Sequence, residues 1–298
     1  MSMHNIPQWN REELLSSPLF EAIRSVLLGF DAARFPTLDD LNEALSLQSL
    51  ICVRSGKQLR FVQQGLGKLA FESQYEPRCY LAGEVQTREN NLHDLFNALV
   101  WLVFPSSKVA INARHYHSLT DAAFDTFSGE TNAANSALQS HRGRVRDTAT
   151  LLDESGVIVA CANSELSCLL REFKWKELFW NCRNEVNAAM GFYLFGHGLY
   201  EKGMHPYVGL TGQGLILPVE AEFFTWSIPH RMTYLDERVA AYLSDPSNCR
   251  NTRELTPVPL LGIPGWSADN MAPEYYDNQK YFRTGRRSDV NVIMENPG

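Results

Sequence analysis

Residues 90–105 read NNLHDLFNALVWLVFP. From Leu95 to Phe104 the run is apolar apart from Asn97, and Pro105 stops it. A bilayer needs about 20 apolar residues, so this shorter run predicts a core helix rather than a membrane span. Asn91 fits the N-cap, which makes Asp94 the third helical residue, where an acid meets the positive end of the helix. His93 and Asn97 are four apart and share a face, with Asp94 on the same edge. Two readings follow. Either the polar start is only how this helix begins, with Asn97 bridging to a neighbour, or His93 is a general base or metal ligand oriented by Asp94.

The neighbouring segments bear on that choice. Glu84, Thr87, Arg88 and Glu89 precede the helix. Arg88 with Arg114 could bind a phosphate or carboxylate, and the alternative is an internal pair of Arg88 with Glu84. Downstream, Ser106 or Ser107 caps a predicted helix through KVAINARHYHSLTDAAF. On it Asn112 and His115 share a face, whereas His115 and His117 diverge and make a poor metal pair.

The rest of the chain predicts an α+β fold. It is a helix-rich single globular body over 1–298, with its core at about 11–283, short antiparallel hairpins and an irregular wrapping tail at 244–298. A helix over 11–29 is reset at Pro18, and Thr37 with Asp40 starts another. Residues 49–54 and 59–64 suggest a hairpin, 74–90 extended chain, and 125–142 a mobile loop. TATLLDESGVIVACA, residues 148–162, looks like a second hairpin, with Asp153 and Glu154 serving its turn and Asp147 at the strand start as a ligand or ion-pair partner. Ser164 caps an aromatic helix, and another covers 183–202, ending at Gly203. It carries His197 and Glu201 four apart, which suits either two ligands of one metal or one hydrogen bond across a turn. Gly196 and Gly198 beside His197 imply a close neighbour or a ligand. GLTGQG, 209–214, lacks the Lys-Ser/Thr of a phosphate loop. A strand at 214–220 and an amphipathic helix at 231–243 precede the tail.

Bulk composition narrows the classes. A chain of 298 residues that is 44% hydrophobic buries a large core. A net charge of −7 argues against nucleic acid as the main partner. Six cysteines without CxxC spacing predict free, mostly packed thiols. Without an apolar signal core or spanning segment, the expectation is a soluble cytoplasmic protein with no membrane partner.

Several strings occur together in order: EVQTRENNLHDLFNALVWLVFPSSKVAINARH, RDTATLLDESGVIVA, FKWKELFW, GHGLYEKGMHPYVGLTG and LLGIPGW…PEYYDNQKYFR. Over roughly residues 15–283 the chain resembles the bacterial domain-of-unknown-function family DUF3025. The resemblance implies a soluble proteobacterial-type protein and carries no activity and no catalytic residues with it.

Two functions from different classes remain open. One is an enzyme whose polar pocket performs metal-assisted hydrolysis of a small anionic substrate. Its catalytic candidates are His93, Asp94, Asn97 and Asp147, its substrate-binding candidates Arg88, Arg114 and Asn112, and its divalent-metal candidates His93, His197 and Glu201. The other is a binding or scaffold protein whose buried polar network is structural. Convergence of His93 and His197 within about 5 Å at a cavity discriminates between them.

Overall fold

The computed structural model describes residues 9–285, apart from 66, 68, 69 and 129–144. The fold is α+β and helix-rich, with one buried apolar cluster running from Leu14 to Phe282. The amino-terminal apolar stretch breaks at its proline. Helix α1 (Arg11–Ser16) ends at Ser17, and Pro18 opens a 3₁₀ segment to Ile23 that continues into α2 (Arg24–Leu27). Helix α3 (Leu38–Ser46) starts on a reciprocal capping box between Thr37 and Asp40.

The first expected hairpin is absent. It reduces to one antiparallel bridge, Cys52 to Gln58. Strand β1 (Arg60–Gln63) pairs instead in parallel with β2 (Glu84–Thr87). The stretch between them, read as extended chain, holds α4 (Tyr75–Ala82). Pro77 lies in the first turn of α4, where its missing N–H leaves no bond unmade. Gly83 ends the helix at φ 72°, in the left-handed region that favours glycine.

Helix α5 (Leu92–Val103) is the apolar stretch, and every residue from Asp94 to Leu102 is buried. Asn91 caps it as expected, accepting the Asp94 N–H at 2.9 Å. Helix α6 (Pro105–Ser128) starts at the proline itself, and its cap is remote. The Ser106 and Ser107 N–H groups donate to the Asp236 carboxylate at 2.9 and 2.8 Å. The expected loop at 125–142 begins inside α6, and its part from 129 on lies outside the described residues.

Residues 145–155 form α7, which runs straight into β3 (Gly156–Cys161). The second expected hairpin is therefore a helix followed by a strand. Thr148, Ala149 and Leu152 are buried, which is the spacing of one helix face. Then come α8 (Ser164–Arg171), capped by Asn163 rather than Ser164, and α9 (Arg183–Ala189). The helix expected over 183–202 is interrupted by β4 (Met190–Leu194) before α10 (His197–Gly203). Strand β5 (Thr211–Pro218) absorbs most of GLTGQG, and α11 (Ile228–Ser244) and β6 (Thr256–Pro259) follow.

The larger sheet has the order β4-β3-β5-β6. Its antiparallel pairs, β3 with β4 and β5 with β6, are joined through helices rather than tight turns. The tail packs as expected: Tyr276, Tyr281 and Phe282 are buried, and the Tyr281 hydroxyl accepts from Leu261 N–H and donates to Leu210 C=O. No single helix among the described residues is long and apolar enough to cross a membrane.

The remote cap is directly testable. Asp236→Ala leaves two backbone donors and a buried helix start without their acceptor, and a lost cap typically costs about 1–2 kcal/mol. Urea unfolding should show a loss of about 2 kcal/mol with an unchanged slope, and Asp236→Asn about half of it. A loss below about 0.5 kcal/mol would contradict the capping role.

Candidate metal centre

The site begins with strand register. Strand β3 pairs antiparallel with β4 so that Val157 faces Leu194. Beyond that pair α7 ends as β3 begins and α10 starts as β4 ends, so Glu154 and His197 lie at the same end of the two strands. Gly156 C=O holds the junction by accepting the Phe195 and Gly196 N–H groups at 3.0 and 2.9 Å. The two glycines flanking His197 now have a cause. A Cβ on Gly196 would lie 2.4 Å from the Ser155 and Gly156 nitrogens, and one on Gly198 would lie 2.8 Å from Glu154 Oε2. Residues 154–156, where α7 passes into β3, therefore occupy the space that side chains would need.

His93 arrives from the first turn of α5. Helices α5 and α10 pack through Phe96 and Tyr200, whose rings stack 5.7 Å apart. His93 and His197 each lie three residues before one of those rings, so the same packing brings the imidazoles together. Their Nε2 atoms are 3.1 Å apart, with the rings edge to face. Glu154 Oε1 stands 3.4 Å from His197 Nε2 and 3.9 Å from His93 Nε2. Ligand atoms of His93, Glu154 and His197 all lie within 4.8 Å of one another. Two imidazoles on one zinc at about 2.0–2.1 Å and a tetrahedral angle stand about 3.3 Å apart. The three groups therefore form a set of two histidines and a carboxylate, spaced to share one divalent ion.

Glu201 serves that set from behind. Its Oε2 is 3.1 Å from His93 Nδ1. A carboxylate there holds the proton on Nδ1 and leaves the Nε2 lone pair facing His197 and Glu154. Hydrogen bonding to His197 holds the Glu154 carboxyl below its ordinary range. His197 Nδ1 has no hydrogen-bond partner and faces Asp153 Oδ2 at 3.8 Å.

The centre opens onto a cavity of about 480 Å³. Beneath it lies Lys108, which is 2% exposed. Its ammonium donates to Asn97 Oδ1 at 2.9 Å and to Asp153 Oδ1, and lies 5.5 Å from the Trp101 ring centre. Burial pushes the Asp153 carboxyl up, but Lys108 and His197 together hold it below the usual range. Asn97 also donates to the Tyr75 hydroxyl at 2.7 Å.

The family model described as a protein of unknown function, DUF3025, matches residues 59–286. The chain belongs to this family. No curated protein and no solved structure matches it. The features of this DUF3025 member therefore have to be read from its own residues.

The residues singled out in the sequence fare unequally. His93, Asn97 and His197 meet at the cavity, and Asp94 and Arg88 line it as a pair. Asp94 does not orient His93. Its carboxylate accepts from the Arg88 backbone N–H, Nε and Nη2, at 2.7–2.9 Å. Glu84 pairs with Arg60 and Arg78 instead. Arg114 lies elsewhere and donates to the carbonyls of Leu243, Asp245 and Asn248, closing the end of α11. Asn112 donates to the Glu76 carboxylate and backbone oxygen. Asp147 is exposed and does not line the cavity. Glu201 contacts the outer nitrogen of His93, and Glu154 completes the ligand set in its place. His115 lines the cavity while His117 packs edge-on against Tyr80, as their helical phase requires.

Asp153, Glu154 and Lys108 were not anticipated. Their signals were polar stripes at helical spacing. Arg146, Thr150, Asp153 and Glu154 form one stripe on α7, and Lys108, Asn112 and His115 form another on α6. The first was masked by reading α7 as a strand.

Lys108→Met would leave the Asp153 charge and the Asn97 oxygen without their donor. Removing one partner of a buried pair costs about 3–5 kcal/mol. Chemical denaturation should show a loss of that size, most of it recovered in Lys108→Met/Asp153→Leu. A single variant as stable as the parent would exclude Lys108 as the support of this site.

Proposed function

We propose that this DUF3025 member is a metal-dependent hydrolase acting on a small substrate that carries an anionic group. The observation that carries the reading is the convergence of His93 Nε2, His197 Nε2 and Glu154 within 4.8 Å at the cavity wall. A divalent ion held by three protein groups keeps a position for water and lowers the pKa of that water towards 7.

The chain's own residues supply the rest. Glu201 holds His93 in the tautomer that presents Nε2. Gly196 and Gly198 let the junction of α7 and β3 at 154–156 pack tightly against His197. Desolvation pushes the Tyr75 phenol well above its ordinary range, so it stays protonated. Its oxygen accepts from Asn97, which leaves its own proton for an oxygen that gains charge in the cavity. Arg88 is already bound to Asp94, which leaves Arg146, at the exposed rim, as the lining cation for an anionic group.

The second reading is binding without turnover. Its support is that Lys108, Asn97, Asp153 and Tyr75 satisfy one another internally.

Calorimetric titration of chelator-treated protein with Zn²⁺, Mn²⁺ and Co²⁺ tests the metal centre. One equivalent should bind. His93→Ala, His197→Ala and Glu154→Gln should each weaken binding at least 100-fold, and Glu201→Gln by about 10–100-fold. Absence of stoichiometric binding by any of the three ions would defeat the hydrolase reading. Stoichiometric metal without hydrolysis of ester, amide or phosphoester probes would favour binding alone.

A further inference from the structure

The same cavity is lined by an amide oxygen that has no donor. Gln86 is 4% exposed and lines the cavity. Its backbone is fixed in the β1–β2 ladder opposite Val62. Its Nε2 donates to Ser73 C=O at 3.1 Å, which sets the orientation of the amide. Its Oε1 is then buried and has no hydrogen-bond partner. A buried acceptor left unsatisfied costs about 1–3 kcal/mol, a cost that a donor entering from the cavity would offset.

Glu76 lines the same cavity. Asn112 Nδ2 donates to Glu76 Oε2 at 2.6 Å, and Glu76 makes no ion pair among the described residues. The other lining carboxylates are engaged: Asp94 by Arg88, Asp153 by Lys108, and Glu154 by the two imidazoles. Desolvation pushes the Glu76 carboxyl up, a cost that a cation beside it would offset.

We infer that Glu76 and Gln86 form a subsite for a protonated primary amine of the substrate. An ammonium offers three donors and no acceptor. The Glu76 carboxylate and Gln86 Oε1 take two of them and leave the third to water in the cavity. The inference rests on the hydrolase reading for the second half of the substrate. The bond to be cleaved lies at His93, Glu154 and His197, and the amine is held apart from it. The substrate class is therefore a small amino-bearing acyl compound rather than a purely anionic one.

The test uses the full-length zinc-loaded protein and ω-aminoalkyl hydroxamates of two to six carbons, each compared calorimetrically with its N-acetyl counterpart. At one chain length the free amine should bind at least tenfold tighter. Glu76→Gln and Gln86→Leu should each reduce that preference at least fivefold while zinc affinity stays unchanged. Gln86→Leu removes the bond to Ser73 C=O together with the unpartnered oxygen, so its melting temperature should stay near the parent's, and the variant reports even where Glu76→Gln folds poorly. A preference within twofold at every length, or one that survives both variants, overturns the subsite. Should zinc itself not bind, the hydrolase reading falls separately. Propylammonium and butyrate are then compared by NMR titration of the metal-free protein. A Glu76-dependent response to propylammonium alone upholds the subsite, and an equal or absent response overturns it.

Discussion

An ammonium group withdrawn from water has to be surrounded by protein oxygens, and Lys108 meets that demand with one oxygen from α5 and one from α7. Asn97 and Asp153 are 56 positions apart in the chain, so the lysine fixes two helices against α6 at a single point. Everything above it depends on that placement. Asp153 precedes Glu154, and His197 lies between the Asp153 and Glu154 carboxylates. The Trp101 ring covers another side of the charge. A neutral residue at 108 would remove the reason for a carboxylate at 153 and an amide at 97 to face one another.

On this support the centre is assembled by two rigid constraints of different kinds. The pairing of β3 with β4, extended by the Phe195 and Gly196 N–H groups on Gly156 C=O, sets the end of α7 with Glu154 against the start of α10 with His197. Aromatic packing of Phe96 on Tyr200 brings His93 to the same place. Neither constraint involves a ligand, so the three groups are held together before anything binds. Such preorganisation is what a metal or substrate site requires, because no binding energy is then spent on gathering its parts. The cavity beside it departs from the rule of internal satisfaction. Gln86 Oε1 and His197 Nδ1 lack partners, whereas the Lys108 network beneath is complete.

Much of this was legible in the chain. The start of α5 at Asn91, the break at Pro18, the Thr37–Asp40 box and the burial of α5 all follow from local rules, and the structure shows each. His93, Asn97 and His197 stood out because polar groups flank or interrupt apolar runs there, and they do meet. The errors have specific causes. Residues 74–90 read as extended chain, yet they hold α4, with Pro77 in its first turn. Asp153-Glu154-Ser155-Gly156 resembles a turn, yet α7 passes through it into β3 without a loop. Arg114 resembled an anion ligand, but a guanidinium serves equally well to cap the carbonyl end of a helix, here α11. Charge alone does not say which.

By itself the sequence determined which segments are helical or buried at their strongest, where several helices start, and which polar groups sit on apolar elements. These depend on caps, prolines and periodicity, and act within about one turn of chain. The tertiary structure alone decided which carboxylate meets which histidine: Glu154 on His197, Glu201 on His93, and Asp94 on Arg88. It also decided that Asp236 caps α6 from across the molecule. These pairings depend on strand register and helix packing between segments far apart in the chain, and a shift of one residue in either would exchange the partners.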